Sequence, residues 1–365
     1  MRIQSGYILL LFVLTTAGKI PVHSQNGIIP GMKVHYGFII PHSSAIRDIS
    51  TSTPWGIEAE WNWQLMSRNA WNYCYCFPRT GVSFFYINFG NPEILGNSYA
   101  PYVFIEPVLG AEKKFNSSLR FGFGPAFMDK IYDEDTNPEN LFYSTHISFI
   151  VLLNISMNYR ITKRMELRLS GYYNHISNGG LKNPNKGINF PTVTLGLDYR
   201  LRDLLFEKYS KPESVTPHPD KWFFDIASFG TGKTDIKGKQ YFAVFGVTAT
   251  VMRVIGRLSA LSLAIEGTID NADKAEIERK EIMENGEFVD HKYVAALIGH
   301  ELLIGRFIFS TRLGAYVYSP FERMDLLYQR YGLTFHVTDW LFVGTNLKAH
   351  RHVADFLDFR IGVSF

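Results

Sequence analysis

The residues able to do chemistry gather in one short stretch. The segment Met165-Glu166-Leu167-Arg168-Leu169-Ser170-Gly171-Tyr172-Tyr173-Asn174-His175-Ile176-Ser177 alternates like a strand and runs into a polar loop from Asn178 to Asn189. Met165, Leu167, Leu169 and Tyr173 share one face, and His175 and Ser177 continue it. Residues i and i+2 on one face of a strand lie about 6.5–7 Å apart at Cα, which lets an imidazole reach a hydroxyl. That pairing is the one on which nucleophilic catalysis is built. Asn189 has the parity of Val193, Leu195 and Leu197 in the next strand, so it joins the same face. Asp198 has the opposite parity and drops out as a third member.

Polar groups on an apolar stripe need an explanation, and the rest of the chain supplies the setting. From Trp55 to Leu65 the odd positions read Trp55, Ile57, Ala59, Trp61, Trp63 and Leu65, with Gly56, Glu58, Glu60, Asn62 and Gln64 between them. Phe149 to Arg160 repeats the pattern, as do Leu119–Phe127, Val193–Leu201, Phe307–Val317 and Leu357–Phe365. A soluble sheet alternates too. Three features favour the membrane: aromatics near the ends of the apolar stripes, paired charges such as Asp358 and Arg360 on the polar ones, and a terminal Phe365. Such a terminal aromatic suits a strand handed to the outer-membrane assembly machinery. The expected fold is all-β, a transmembrane antiparallel β-barrel with its outer stripe in lipid.

Composition agrees. The chain has 365 residues, 46% hydrophobic and 15% aromatic, with a mean hydropathy of −0.05. A disordered chain is excluded. A net charge of +3 offers no basic stripe for nucleic acid. Residues 1–24 read as a signal peptide: a polar start with Arg2, an apolar run from Ile8 to Ala17, and Val22-His23-Ser24 at the cleavage site. Losing Arg2 and Lys19 with it leaves the mature chain nearly neutral.

Residues 25–365 then give about 14–16 strands, with both termini expected in the periplasm. Tight turns fall at Glu112–Asn116, Ile161–Arg164, Gly256–Arg257, Gly305–Arg306 and Asp339–Trp340. Long loops fall near His42–Thr53, Gly90–Ala100, Asp129–His146, Asn178–Pro191 and Asp270–Asp290. Two connections on the tight-turn side, Ser67–Gly81 and Arg202–Lys221, are longer than usual. The second lies midway, so two eight-stranded barrels in tandem stay open, although one barrel is the simpler expectation.

The motif His175-Ile176-Ser177-Asn178, with Asn185 ten and Asn189 fourteen residues after the His, resembles the lipid A 3-O-deacylase (PagL-like) family, also called acyloxyacyl hydrolases. The similarity runs from Gly31-Met32-Lys33-Val34-His35-Tyr36-Gly37-Phe38 to Leu201 and is tightest over Tyr173 to Tyr199. Residues 221–365 do not match it closely and read as additional strands. The resemblance implies an outer-membrane ester hydrolase of a Gram-negative bacterium that removes an acyl chain from lipid A, with its site near the outer leaflet. It implies His175 as general base, Ser177 as nucleophile, and Asn178 and Asn185 as hydrogen-bond donors to the oxyanion. The family's orienting residue is a Glu, and this chain has Asn189 there. An Asn can hold the imidazole tautomer but cannot meet the imidazolium with a full charge.

The same motif resembles outer-membrane phospholipase A, which uses Ser-His-Asn with calcium. That family's calcium-site residues are replaced here by Gly180 and Asn185. The expected cofactor is therefore none, with calcium attached only to the phospholipase alternative. The non-enzymatic alternative is a porin or binding barrel carrying an idle motif. A homodimer of barrels stays open.

Other signals read blandly. Gly230-Thr231-Gly232-Lys233-Thr234 lacks the first Gly and the helix of a phosphate loop. His300-Glu301 lacks the second His of a zinc protease, with Ile304 in its place. Cys74 and Cys76 are spaced for neither an ordinary disulfide nor a metal site. The run Asp133-Glu134-Asp135-Thr136-Asn137 departs from calcium-loop spacing. His42, His146, His350 and His352 fall at outer strand ends, where amphipathic rim residues are common. The loop Asp270–Glu287 reads as a charged, solvated segment with some helical character.

Overall fold

The computed structural model describes residues 26–211, 221–234, 240–321, 325–351 and 353–365. The expected signal peptide, residues 1–24, and His352 lie outside the described residues. Within them the chain is built from strands. The first eight long strands are β1 (Gly27–Gly37), β2 (Trp55–Gln64), β3 (Arg79–Asn88), β4 (Asn97–Glu106), β5 (Phe115–Met128), β6 (Ile147–Arg160), β7 (Met165–Ser177) and β8 (Ile188–Tyr199). Each pairs antiparallel with its sequence neighbour, and β1 pairs back onto β8. The second set is β9 (Trp222–Thr234), β10 (Tyr241–Gly256), β11 (Ser259–Asp270), β12 (Lys292–Ile304), β13 (Phe307–Tyr318), β14 (Leu327–His336), β15 (Leu341–His350) and β16 (Val353–Ser364). It closes through β9 and β16.

The sheet thus closes twice, which corrects the expectation of one barrel. The reason lies in what alternation encodes. One sixteen-stranded barrel and two eight-stranded ones need the same period-two pattern in every strand, and differ only in which strand β8 pairs with. Interior width decides that. Eight strands leave a space that side chains just fill, and the inward residues here are large and charged.

In the first barrel Glu58, Glu60, Glu106, Glu166 and Asp198 face Lys33, Arg79, Arg120, Arg168 and Arg200, five carboxylates against five cations. Asp198 points inward, as its parity requires, and meets Arg79 at 2.8 Å. Towards the long-loop end the interior turns apolar. Phe85, Phe89, Tyr102, Leu152, Ile176 and Phe190 pack there under Ile46, Ile49, Phe142 and Tyr143 from the loops. The second barrel repeats the device with Glu266, Arg330, Asp358 and Arg360, where Arg360 Nε donates to Asp358 Oδ1 at 2.7 Å. The outer stripes stay exposed, with Met32, Ile155 and Leu195 all pointing away from the protein.

The connections refine other expectations. Cys74 and Cys76 do form a disulfide. The helix α1 (Arg68–Cys74) ends on Tyr75 in the left-handed region, at φ 53°. That reversal brings the two cysteine Cα atoms to 5.0 Å, inside bridging range. The connection after β8 sends Leu204, Phe206 and Tyr209 onto Met66, Trp71 and Phe77, so it folds back under the first barrel. Loop 271–291 holds the helix α2 (Asn271–Arg279) and a small hairpin pairing Met283 with Phe288. Gly230–Thr234 lies within β9, and its Lys233 is bound to Asp270 and Asp355. Glu301 pairs with Arg312 at 2.7 Å. In the acidic run, Asp133 Oδ1 accepts from the N–H groups of Thr136 and Asp135. Those donors hold its carboxyl below the usual range, so its charge serves its own turn.

Two outcomes follow from the filled interiors. Purified protein in planar bilayers should show no stable conductance, whereas porin-sized steps would mean the lumens open. Arg120 Nη atoms bind Glu60 and Glu106, both at 2.5 Å. Arg120→Leu strands those buried carboxylates and should cost about 3–5 kcal/mol, read as a lower urea midpoint for loss of the compact gel band.

Candidate active site

The pairing of β7 with β8 assembles the site. His175 and Asn189 are directly opposed across the two strands, so their Cβ atoms are neighbours on the outer face. His175 Nδ1 lies 2.8 Å from Asn189 Oδ1. On the other side of the ring, His175 Nε2 is 3.0 Å from Ser177 Oγ. The three residues foreseen from parity are therefore joined by an unbroken run of hydrogen bonds, half-buried at the long-loop end of the lipid-facing stripe.

Their surroundings are apolar. On β6, Phe149 stands opposite Ser177 and Val151 opposite His175. Phe149 stacks on Phe123 at 5.9 Å between ring centroids. Below His175, Tyr173 is exposed on the same stripe. The hydroxyl thus opens onto a hydrocarbon-like surface rather than into the lumen.

The loop from Asn178 to Gly187 is tied down on several sides. Asn178 is buried; its Nδ2 donates to Lys182 C=O at 2.7 Å and its Oδ1 accepts from Gly180 N–H at 3.0 Å. Its side chain therefore braces the loop. Its backbone N–H donates to Asn185 Oδ1 at 3.0 Å, which leaves the oxygen end of that amide engaged by the loop. Lys186 and Gly187 N–H groups donate to Leu141 and Phe142 carbonyls at 3.0 and 2.8 Å. The loop also meets the second barrel. Asn183 N–H donates to Thr234 Oγ1 at 3.3 Å, and Gly179 and Gly180 lie against Leu357 and Asp355. Lower on the same seam Phe121 meets Phe309 edge-on at 5.3 Å.

Two residues that sequence reasoning gave no role also belong here. Gly187 sits at φ +71°, and a Cβ on it would come within 2.7 Å of His175 Cε1. His42 Nδ1 lies 3.2 Å from Asn189 Nδ2, and its Nε2 is 2.8 Å from Lys186 C=O. Rim position was the one signal for His42, and three other histidines shared it. Two of them go elsewhere: His146 Nδ1 bonds Met128 C=O, and His350 is buried in the second barrel against Tyr316.

Residues 53–198 match the family described as lipid A 3-O-deacylase (PagL), and residues 222–365 match the acyloxyacyl hydrolase C-terminal domain (PagL_C). The chain belongs to this deacylase family. It is an ester hydrolase of the Gram-negative outer membrane, and the second barrel is the region matched by the C-terminal family domain. No curated protein matches it. Among solved structures it is similar to Neisserial surface protein A, at 10% identity over 48% of this chain and 97% of that one, TM-score 0.31. It is also similar to a variant Rh. blastica porin, at 8% identity over 93% and 100%, TM-score 0.19. Acinetobacter baumannii OccAB1 aligns at 8% identity over 93% and 95%, TM-score 0.24. At these scores they say nothing further of this deacylase.

The close approach of Gly187 gives a test. Gly187→Ala adds a strained left-handed residue and a methyl group against the imidazole. A displacement near 1 Å at a reacting group costs about 10²-fold in rate. Ester hydrolysis should fall by that order while the barrel's circular dichroism and gel mobility stay unchanged.

Proposed function

We propose that this enzyme removes an ester-linked acyl chain from lipid A, with Ser177 as nucleophile, His175 as general base and acid, and Asn189 as the residue that orients His175. The observation that carries this reading is the continuous run Asn189–His175–Ser177 on the lipid-facing stripe at the long-loop end. We take that end to be extracellular, which sets the hydroxyl at the outer leaflet, where lipid A resides.

Asn189 Oδ1 accepts from His175 Nδ1–H, leaving the Nε2 lone pair for the Ser177 proton. Ser177 Oγ attacks the ester carbonyl carbon, and the proton passes to Nε2. The oxyanion is met by the Asn185 amide nitrogen, with the backbone of the Asn178–Gly180 turn beside it. His175 then gives its proton to the sugar oxygen as the C–O bond breaks. A water molecule, deprotonated by the same nitrogen, releases the fatty acid and restores Ser177. A positioned base contributes about 10²–10⁴-fold and an oxyanion donor about 10²–10³-fold. Phe149, Val151 and Phe123 offer the departing chain an apolar surface.

Asn in the orienting position also suits a calcium-dependent phospholipase, so substrate choice is the deciding test. Lipopolysaccharide and phospholipid are offered together in detergent, and the lipids are weighed by mass spectrometry. Loss of one acyl chain from lipid A is expected, unaffected by a calcium chelator and absent in Ser177→Ala. Lysophospholipid formed only with calcium would establish the phospholipase instead.

A further inference from the structure

We propose that His42 is a positioning residue that fixes which end of the Asn189 amide faces His175, and so holds the imidazole in the tautomer able to act as a base. The inference rests on the proposed roles of His175 and Ser177, and extends them by a fourth member from a different strand end.

The argument is one of direction. A backbone carbonyl only accepts, so the His42 nitrogen 2.8 Å from Lys186 C=O must carry a hydrogen. In a neutral imidazole the other nitrogen then has a lone pair and must accept. The Asn189 atom facing it at 3.2 Å is accordingly the amide nitrogen. With the nitrogen turned to His42, the amide oxygen is turned to His175 Nδ1, 2.8 Å away. That oxygen accepts, so His175 carries its proton on Nδ1 and presents a bare Nε2 to Ser177 Oγ at 3.0 Å. Every donor and acceptor from Lys186 to Ser177 is thereby assigned.

The need for such a residue comes from Asn189 itself. Both oxygens of a carboxylate accept, whichever way the group turns. A carboxamide has nearly the same shape but a wrong way round. Flipped, Asn189 would aim N–H groups at His175 Nδ1, push the imidazole proton onto Nε2, and leave no base for Ser177. A misassigned tautomer is costly: replacing the orienting carboxylate in a serine protease lowers turnover about 10⁴-fold. The fold brings His42 to this task by extending β1. Ile40 N–H donates to Asn189 C=O at 2.8 Å, so the chain beyond β1 runs beside β8 and sets His42 against the Asn189 side chain.

The test uses the full chain in detergent with lipopolysaccharide as substrate. His42→Phe keeps the ring and removes both hydrogen bonds, and His42→Gln restores one donor and one acceptor. His42→Phe should lower kcat by about 10–100-fold, part of what a positioned base contributes, with KM unchanged. His42→Gln should recover most of that loss. With Asn189→Asp in place no flip is possible, and His42→Phe should then have little further effect. An activity-independent readout is ¹⁵N NMR of the imidazoles, with the His175 signal identified by its loss in His175→Gln. His175 should be the Nδ1–H tautomer in the parent and a mixture in His42→Phe. Unchanged kcat and tautomer in His42→Phe, or an equal loss alongside Asn189→Asp, would overturn the proposal. Failure of the parent protein to release any acyl chain would sink the deacylase reading alone, since the tautomer still reports on His42.

Discussion

The constraint on which the rest depends is the filled interior of the first barrel. Eight strands enclose too little space for water-filled passage, and here that space holds buried carboxylates and guanidinium groups bonded to one another. Glu60 alone meets Lys33, Arg120 and Arg168. A pair of this kind gains little net energy over an apolar core, yet breaking one leaves a buried charge unmatched. The consequence is rigidity and closure. With the inside taken, the proposed chemistry belongs on the outside, and there the neighbours of the His175–Ser177 pair are Phe149, Val151 and Tyr173 rather than solvent. A two-chain or multi-chain lipid presents its esters in that layer without leaving the membrane.

An outward-facing site brings its own demand. Polar groups on a lipid-facing stripe are tolerated near the interface and penalised with depth. His175, Ser177 and Asn189 sit at the strand end, and each is hydrogen-bonded to the next. Asn189 in place of a carboxylate lowers the desolvation cost, because no charge has to be kept in a half-apolar setting. It also removes the charge that would stabilise the imidazolium and introduces an amide with two orientations. In the proposed arrangement the bond to His42 fixes that orientation and leaves the missing charge without a substitute. A slower enzyme than a carboxylate-bearing relative is the physical expectation.

Period-two alternation was enough to place His175, Ser177 and Asn189 on one face and Asp198 on the other, because side-chain direction along a strand is strictly local. It was enough to find the strands and the long loops. It was silent on closure, since β1 pairing with β8 involves residues 31–37 and 192–198, far apart in sequence and featureless in either strand. The disulfide at Cys74 and Cys76 depended on the left-handed turn at Tyr75, a conformation few non-glycine residues adopt and no spacing rule anticipates. Asn178 has a donor's chemistry, but its loop turned that amide inward to Lys182. His42 was visible as a rim histidine and no more, because its role is set by where β1 continues past its last paired residue. Gly187 was one glycine among 30, and its importance is a contact with an imidazole twelve residues earlier.

The second barrel gains a reason from the same geometry. Its interior also carries a cluster of paired charges, and the described part of it holds no counterpart of the His–Ser pair. What it does is cover one side of the proposed site. Leu357 faces outward by parity yet is buried, because Gly179 lies against it. Gly180 packs so closely on the Asp355 carbonyl that a Cβ would stand 2.4 Å from it. In a single barrel the loop after Ser177 would project into the headgroup layer with lipid on that flank, free to sample several arrangements. Backed by β16 and pinned at Thr234, it keeps one. Groups that must meet an oxyanion gain most from being held before the charge appears, and a rigid neighbour supplies that hold without entering the reaction.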